Sequence, residues 1–200
     1  MSNNWDEKFA TNEYLYGTEP NKFIKNESHR FGLGSKIVCL AEGEGRNGVY
    51  LAEHGHKVTC VDTSIEALKK AARLARDKNV TLDFAHIDIF AYSPNERFDA
   101  AVCTFLHLPF DELKRFCVKL YSILDDGGFL VGQCFTKNQL DKPSGGPKDA
   151  NLLYDAATLG KVFKNVGFEV LKLEEKDEEL CEGEGHVGIA SLVGIVAKKI

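Results

Sequence analysis

Along the chain from Lys36, short apolar runs alternate with stretches whose apolar positions recur at helical spacing. Lys36–Leu40 is an apolar run that ends in the turn Ala41-Glu42-Gly43-Glu44-Gly45, and Arg46–His54 then reads as a helix that stops at Gly55. Lys57–Val61 is a β-branched run that ends at Asp62. Thr63-Ser64-Ile65-Glu66 has the form of a capping box, Thr with Glu three residues later. It opens a helix to about Lys78, with an apolar stripe through Ile65, Leu68, Ala72 and Leu74 or Ala75. Val80–Ala85 predicts a third strand with Asp88 just beyond it, Phe98–Phe105 a fourth and Phe129–Phe135 a fifth. Before the fifth, Asp111–Leu124 sets Leu113, Phe116, Leu120 and Leu124 on one helical face and ends at Asp125-Asp126-Gly127-Gly128. Leu152–Val166 reads as a helix closed by Gly167, and Phe168–Leu173 with Gly188–Lys198 supply two final strands.

Strands separated by helices of this length imply right-handed crossovers and a parallel sheet covered on both faces. The last two strands have only an acidic connection between them, so they should pair as an antiparallel hairpin at one edge. The expected fold is therefore α/β: a seven-stranded, mostly parallel sheet with one antiparallel edge strand and helices on both faces. Residues 1–35 hold Trp5, Phe9, Tyr14, Tyr16, Phe23 and Phe31. That density of aromatics predicts one or two short helices folded over the carboxyl edge of the sheet, a cap on a 36–200 core within one domain of 200 residues.

Composition narrows the partners. The chain is 44% hydrophobic and 28% charged, as soluble globular domains are, and its formal net charge of -5 disfavours a nucleic-acid backbone as partner. The acids are concentrated in 174–184, which is most simply a solvated hairpin; the rest of the chain is nearly neutral. None of the six cysteines forms a Cys-x-x-Cys pair and most sit in apolar runs, which predicts reduced thiols in a cytoplasmic compartment. Met1–Phe9 lacks the apolar core of a signal peptide, and the longest apolar stretch, Ala190–Ala197, is far short of the ~20 residues that span a bilayer, so no membrane partner is expected.

Two segments match G-x-G-x-x-G: Gly43-Glu44-Gly45-Arg46-Asn47-Gly48 and Gly183-Glu184-Gly185-His186-Val187-Gly188. Only the first follows a strand and opens a helix, where glycines let backbone amides approach a nucleoside; the second reads as a flexible hairpin loop. Asp62, at the tip of the second strand, is placed to accept both ribose hydroxyls of an adenosine-type ligand; the bland alternative is a turn acid. Asp88 is placed for the adenine amino group, the alternative being a solvated loop acid. A nicotinamide dinucleotide and S-adenosylmethionine both fit such a site. No Tyr in the chain has a Lys four residues later, as a short-chain dehydrogenase would need, and the length supplies no second substrate domain.

The chain resembles the class I S-adenosylmethionine-dependent methyltransferases over nearly its whole length. The resemblance rests on Leu40-Ala41-Glu42-Gly43-Glu44-Gly45-Arg46-Asn47, Val61-Asp62, Asp88-Ile89, Phe98-Asp99-Ala100-Ala101-Val102 and Leu124-Asp125-Asp126-Gly127-Gly128. Gly45-Arg46-Asn47, Trp5-Asp6-Glu7, Tyr14-x-Tyr16-Gly17-Thr18-Glu19-Pro20 and Gly145-Gly146-Pro147-Lys148-Asp149 look like the small branch that includes tellurite-resistance methyltransferases. The resemblance implies a Rossmann-like sheet with the donor at the carboxyl ends of the first three strands, held by Glu42, Gly43, Gly45, Arg46, Asp62, Thr63, Asp88, Ile89 and Phe105, with Trp5 and Tyr16 closing over it. Where the family has an acid and a first glycine, this chain has Cys39 and Ala41, and Glu42 is expected to take over by meeting the donor's ammonium group.

Methyl transfer is an in-line displacement that asks the protein to align its reactants and exclude water; an anionic thiolate or selenolate acceptor needs no base, a hydroxyl or ammonium does. His107, just past the fourth strand, is the candidate base, or else packs with its ring bonded to loop backbone. Arg46, Lys148 and His186 are the candidate acceptor contacts. His54 and His56 have no third ligand, so no metal is expected. The expected function is methyl transfer from S-adenosylmethionine to a small-molecule acceptor, a thiol or chalcogen oxyanion, by a monomer or homodimer. A donor-binding module without catalysis and a nicotinamide oxidoreductase remain as alternatives.

Overall fold

The first strand, β1 (Lys36–Leu40), is buried on both faces and feeds two cores at once, as a central parallel strand must. In the computed structural model, which describes residues 4–200, Ile37 and Cys39 pack on one side of the sheet and Val38 and Leu40 on the other. The partners of Val38 and Leu40 come from α5 (Phe110–Ile123) and α6 (Ala156–Val166), through Leu113, Phe116, Leu120, Leu159 and Phe163. Those of Ile37 and Cys39 come from α2 (Lys22–Glu27), α3 (Arg46–Glu53) and α4 (Ile65–Asp77), through Ile24, Leu51, Leu68 and Leu74. One further helix, α1 (Asn4–Phe9), opens the described chain and contacts α4.

With β2 (Lys57–Asp62), β3 (Asp83–His86), β4 (Phe98–Thr104), β5 (Leu124–Phe135), β6 (Phe168–Glu182) and β7 (His186–Lys199), the sheet has seven strands in the order β3-β2-β1-β4-β5-β7-β6. β1 to β5 pair in parallel, while β7 is antiparallel to both β5 and β6. The expected mostly parallel sheet with an antiparallel hairpin at one edge is what forms. Within that hairpin the reversed strand β7 lies one place in from the edge, and β6 takes the edge itself. Strand order changes direction between β1 and β4, so the crevice beyond their carboxyl ends is where an open α/β sheet admits a ligand.

Five expected boundaries move, the start of β5 from Phe129 to Leu124 among them, each for a local reason. Strand β3 starts at Asp83 rather than Val80, because the Val80 amide still caps α4 by donating to the Ala75 carbonyl and Asn79 turns the chain with φ 56°. Ser64, not Thr63, is the N-cap of α4: Asp62 Oδ1 accepts the Ser64 amide, which moves the cap one residue onward, and Ser64 Oγ accepts the Ala67 amide. Helix α6 begins at Ala156 under the Asp155 cap, since Tyr154 is drawn into a bridge with Thr136. The acidic stretch 174–182 is strand and not a loose connection, so β6 and β7 run for 15 and 14 residues to a tip at Gly183-Glu184-Gly185. The turn Asp125–Gly128 survives as a bulge, because Leu124 pairs with Phe98 and Phe129 with Ala100.

The glycine-rich turn between β1 and α3 depends on close packing. Gly45 sits at φ 91°, and a Cβ there would stand 2.6 Å from the Ala71 Cβ of α4 and 2.8 Å from its Cα. Both backbone strain and overpacking oppose any side chain. The Gly45→Ala variant should lose about 2–4 kcal/mol of stability, read as a lowered urea midpoint at unchanged m-value.

Candidate functional site

The turn after β1 is organised by carboxylates that accept backbone amides. Glu42 Oε1 accepts the amides of Asn47 and Gly48 at 2.8 and 2.7 Å, filling the first turn of α3, whose N-cap Gly45 has no side chain to do so. Asp62, at the tip of β2, accepts the Gly43 amide with Oδ2 and the Ser64 amide with Oδ1, each at 2.8 Å. Glu44 is buried with Lys70 of α4 in an ion pair at 2.7 Å and also accepts the amides of Leu15 and Tyr16. These acids thus fasten the turn to α3, α4 and the N-terminal segment.

Above this turn lies a cavity of about 720 Å³, in the range that holds drug-sized ligands and cofactors. Among the expected donor contacts, Glu42, Gly43, Arg46, Asp62, Thr63, Asp88, Ile89, Phe105, Tyr16 and Trp5 all line it. Gly45 does not line it; it is turned against Ala71 and acts by letting the turn close. Trp5 stacks on Phe9 at 5.6 Å between ring centroids, with Tyr16 beyond, so α1 and the 14–17 segment do lean over the carboxyl edge. Two lining residues, Ala41 (φ 51°) and Phe105 (φ 56°), hold a left-handed backbone without being glycine, a strain characteristic of ligand sites.

The charges are uneven. Glu42, Glu44, Asp62, Asp88 and Glu112 line the cavity, against Lys8 and Arg46. Burial pushes the Asp62 carboxyl above its usual range, although the Ser64 and Gly43 amides oppose the shift. Burial pushes Glu42 up to about 7 in spite of its hydrogen bonds to Gly48 and Asn47. A cation brought beside either carboxylate restores its ionised form.

The expected acceptor contacts separate. Lys148 is exposed and donates to the Lys142 carbonyl; it does not line the cavity, although its neighbours Gly146 and Pro147 do. Arg46 lines the cavity but its guanidinium is spent on protein, on Glu182 Oε2 at 3.0 Å and the Tyr16 carbonyl at 3.3 Å. His107 lines the cavity and donates from Nδ1 to the Leu152 carbonyl at 2.8 Å, the loop-backbone bond expected of a packed ring. Burial lowers it to about 4, so it is neutral at pH 7. His186, the first residue of β7, lines the cavity between the rings of Tyr16 and Phe105 with Nδ1 3.0 Å from Glu182 Oε2. Sequence reasoning missed Glu182, which also accepts from Asn21 Nδ2, and the pair Asn47 and Thr104 that joins α3 to β4. Glu182 sits in an acid run that reads as solvent-facing, and nothing local marks it; the hairpin packing that buries it is tertiary.

Residues 37–128 match the family model of a methyltransferase domain. The glycine/sarcosine N-methyltransferase of Aphanothece halophytica is 31% identical over 133 residues, which cover 64% of this chain and 49% of that protein. The chain therefore spans about half the length of that relative. Among solved structures, TehB from Haemophilus influenzae superposes with a TM-score of 0.73 at 19% identity, covering 98% of this chain and 66% of that one. An S-adenosylmethionine-dependent methyltransferase from Clostridium acetobutylicum superposes with a TM-score of 0.70 at 16% identity, covering 98% and 96%. The fold is the one these S-adenosylmethionine-dependent methyltransferases share, and the sequence match to a methyltransferase domain spans residues 37–128.

Glu42 carries a pH signature. Its folded value near 7 exceeds its ordinary 4.5, so between those values the folded chain keeps a proton that the unfolded chain releases, and stability falls as pH rises through that window. The full cost is on the order of 3 kcal/mol above pH 7. Glu42→Gln keeps an amide-accepting oxygen, and its melting temperature should lack this decline when unfolding is followed from pH 4.5 to 8.

Proposed function

We propose that the chain is an enzyme that transfers a methyl group from S-adenosylmethionine to a small-molecule acceptor. The observation that carries this reading is the set of acids at the tips of β1, β2 and β3, gathered around one cavity at the point where strand order reverses. An acid-lined cavity suits a donor that bears both a sulfonium and an ammonium charge. The methyltransferase-domain match and the fold supply independent support.

When bound, the donor supplies an electrophilic methyl group on positively charged sulfur. Asp62 holds the ribose hydroxyls with lone pairs that its two amide bonds leave over, and Asp88 with Ile89 meets the adenine. Glu42 takes the ammonium group, which stands in for the acid that this chain lacks at Cys39. Trp5, Tyr16 and Phe105, which line the cavity, would exclude water from the bound donor, and a ring face against its sulfonium would gain on the order of 1 kcal/mol or more when dry. Of the expected 1–35 cap, α1 and residues 16–17 close this cleft within one domain, whereas α2 packs on the face of the sheet. His107, neutral and fixed by the Leu152 carbonyl, contacts the acceptor rather than carrying a charge to it.

For the acceptor, a thiol or chalcogen oxyanion is the preferred class, from the tellurite-resistance-like residues around Gly45-Arg46-Asn47 and Gly145-Gly146-Pro147. The relative named for glycine and sarcosine supports a small acceptor more generally. Six free thiols support a reducing, cytoplasmic setting, and among the described residues no helix is long and apolar enough to cross a membrane.

Calorimetry with S-adenosylhomocysteine tests the reading: wild type should bind, NAD should not compete, and a folded Asp62→Ala protein should bind about 10- to 100-fold more weakly, the scale of hydrogen bonds to a buried charge. Mass spectrometry of a panel of thiols, oxyanions, phenols and amines should find a product 14 Da heavier; binding without any product would assign a donor-binding module instead.

A further inference from the structure

The cavity wall that the β6–β7 hairpin builds holds a histidine in a setting that the methyl-donor site does not require. His186 Nδ1 lies 3.0 Å from Glu182 Oε2, and that carboxylate is fixed in turn by Arg46 at 3.0 Å and, through Oε1, by Asn21 at 3.0 Å. Asn21 is itself tied to Gln133 of β5, so the assembly is anchored in the sheet. The imidazole is clamped by the rings of Tyr16, Phe105 and Phe135, at centroid distances of 4.5, 4.4 and 5.2 Å. With Nδ1 held, the ring presents its Cδ2–Nε2 edge to the 145–147 loop. A Cβ at Gly145 would stand 2.7 Å from Cδ2 and 3.5 Å from Nε2, and the next two residues of that loop line the cavity. Gly145 is thus the residue that makes room for this edge.

We propose that His186 is the general base of the acceptor subsite, that Glu182 is its positioning residue, and that the acceptor is a small molecule which arrives protonated, a neutral thiol. This rests on the methyl-transfer reading above. A carboxylate on Nδ1 fixes the tautomer with the proton there, leaves the Nε2 lone pair as acceptor, and stabilises the imidazolium that forms when Nε2 takes a proton. The titratable and charged groups around the ring are the Glu182 carboxylate, the Arg46 guanidinium behind it, the Tyr16 phenol packed against it, and His107, which is neutral at pH 7. Burial raises the Glu182 carboxyl, but His186 and Arg46 outweigh burial and keep it ionised.

The step balances. The thiol sulfur's lone pair forms the new bond to the methyl carbon, and the bond from that carbon to the donor sulfur breaks with its electron pair going to the donor sulfur. The S–H proton passes to His186 Nε2 and then to water as the products leave. An anionic chalcogen oxyanion needs no such base, and on the His186 wall the one guanidinium it would want, that of Arg46, is committed to Glu182, while the other lining cation, Lys8, lies on α1 over the Trp5 ring. Neutral His107 offers an anion nothing.

Two thiols separate the roles: phenylmethanethiol, protonated at neutral pH, and 4-nitrothiophenol, already a thiolate. His186→Gln should lower kcat with the first about 100-fold or more and with the second less than about threefold. Removing the Glu182 charge in Glu182→Gln should move the acid limb of the phenylmethanethiol pH–rate profile to lower pH and lower its plateau, with Glu182→Asp recovering part of both. Nitrogen NMR of the resting protein should show the His186 proton on Nδ1, and the Nε2 resonance should shift when phenylmethanethiol is added with S-adenosylhomocysteine. Equal losses on both thiols, or unaltered turnover of the protonated one, overturns the assignment. S-adenosylhomocysteine binding by each variant, at the wild-type affinity, separates this outcome from a failure of the donor site, which would appear in wild type itself.

Discussion

Everything at the cleft depends on burying carboxylates beside backbone amides. Glu42, Glu44 and Asp62 give up hydration, and each recovers it from two backbone N–H groups. Those bonds let an eight-residue helix start without a side-chain cap, let a turn with a left-handed alanine hold its shape, and hold the N-terminal segment in place. Glu44 also carries the buried Lys70 as its counter-ion, so removing either charge alone would strand the other, at a cost of about 3–5 kcal/mol. The turn is therefore set by electrostatics as much as by glycine.

The same acids shape what the cleft can hold. A site whose carboxylates are pushed toward their neutral forms by burial is one in which an incoming cation gains more than ordinary Coulomb attraction, since its arrival also restores ionisation. Recognition and proton release are then coupled. The hairpin wall is built otherwise, from aromatic rings around a histidine, and it offers no uncommitted guanidinium.

Much of the fold was legible because parallel strands are buried on both faces and announce themselves as apolar runs: Lys36–Leu40 is bounded correctly to the residue. Errors arose where a side chain outside the pattern intervened, as when Asp62 took the Ser64 amide and displaced the expected Thr63 cap. The strand-tip wall of the cleft was legible for the same reason as the strands, since residues at strand tips inherit their position from the sheet; Asp62 and Asp88 arrive at one cavity. The wall that the β6–β7 hairpin builds was not. Glu182 looked solvated among its acidic neighbours, and Lys148 looked available beside two glycines. Only the packing of the 15-residue β6 against β7, and of the hairpin tip against residues 15–17, decides which charge is turned inward.

That tip meets the opposite end of the described chain. The Gly185 amide donates to the Leu15 carbonyl, and Gly17 approaches Gly183 so closely that a Cβ on Gly17 would stand 3.2 Å from the Gly183 nitrogen. Residues some 170 positions apart thus close one roof, a contact whose loop-closure entropy is large because nearly the whole described chain lies between its ends. The β6–β7 hairpin is therefore what completes the enclosure: it brings Gly185 and His186 to a wall whose other residues come from 5–152. A change that loosens the pairing of those two long strands would open the cavity without touching any residue at the tips of β1, β2 or β3.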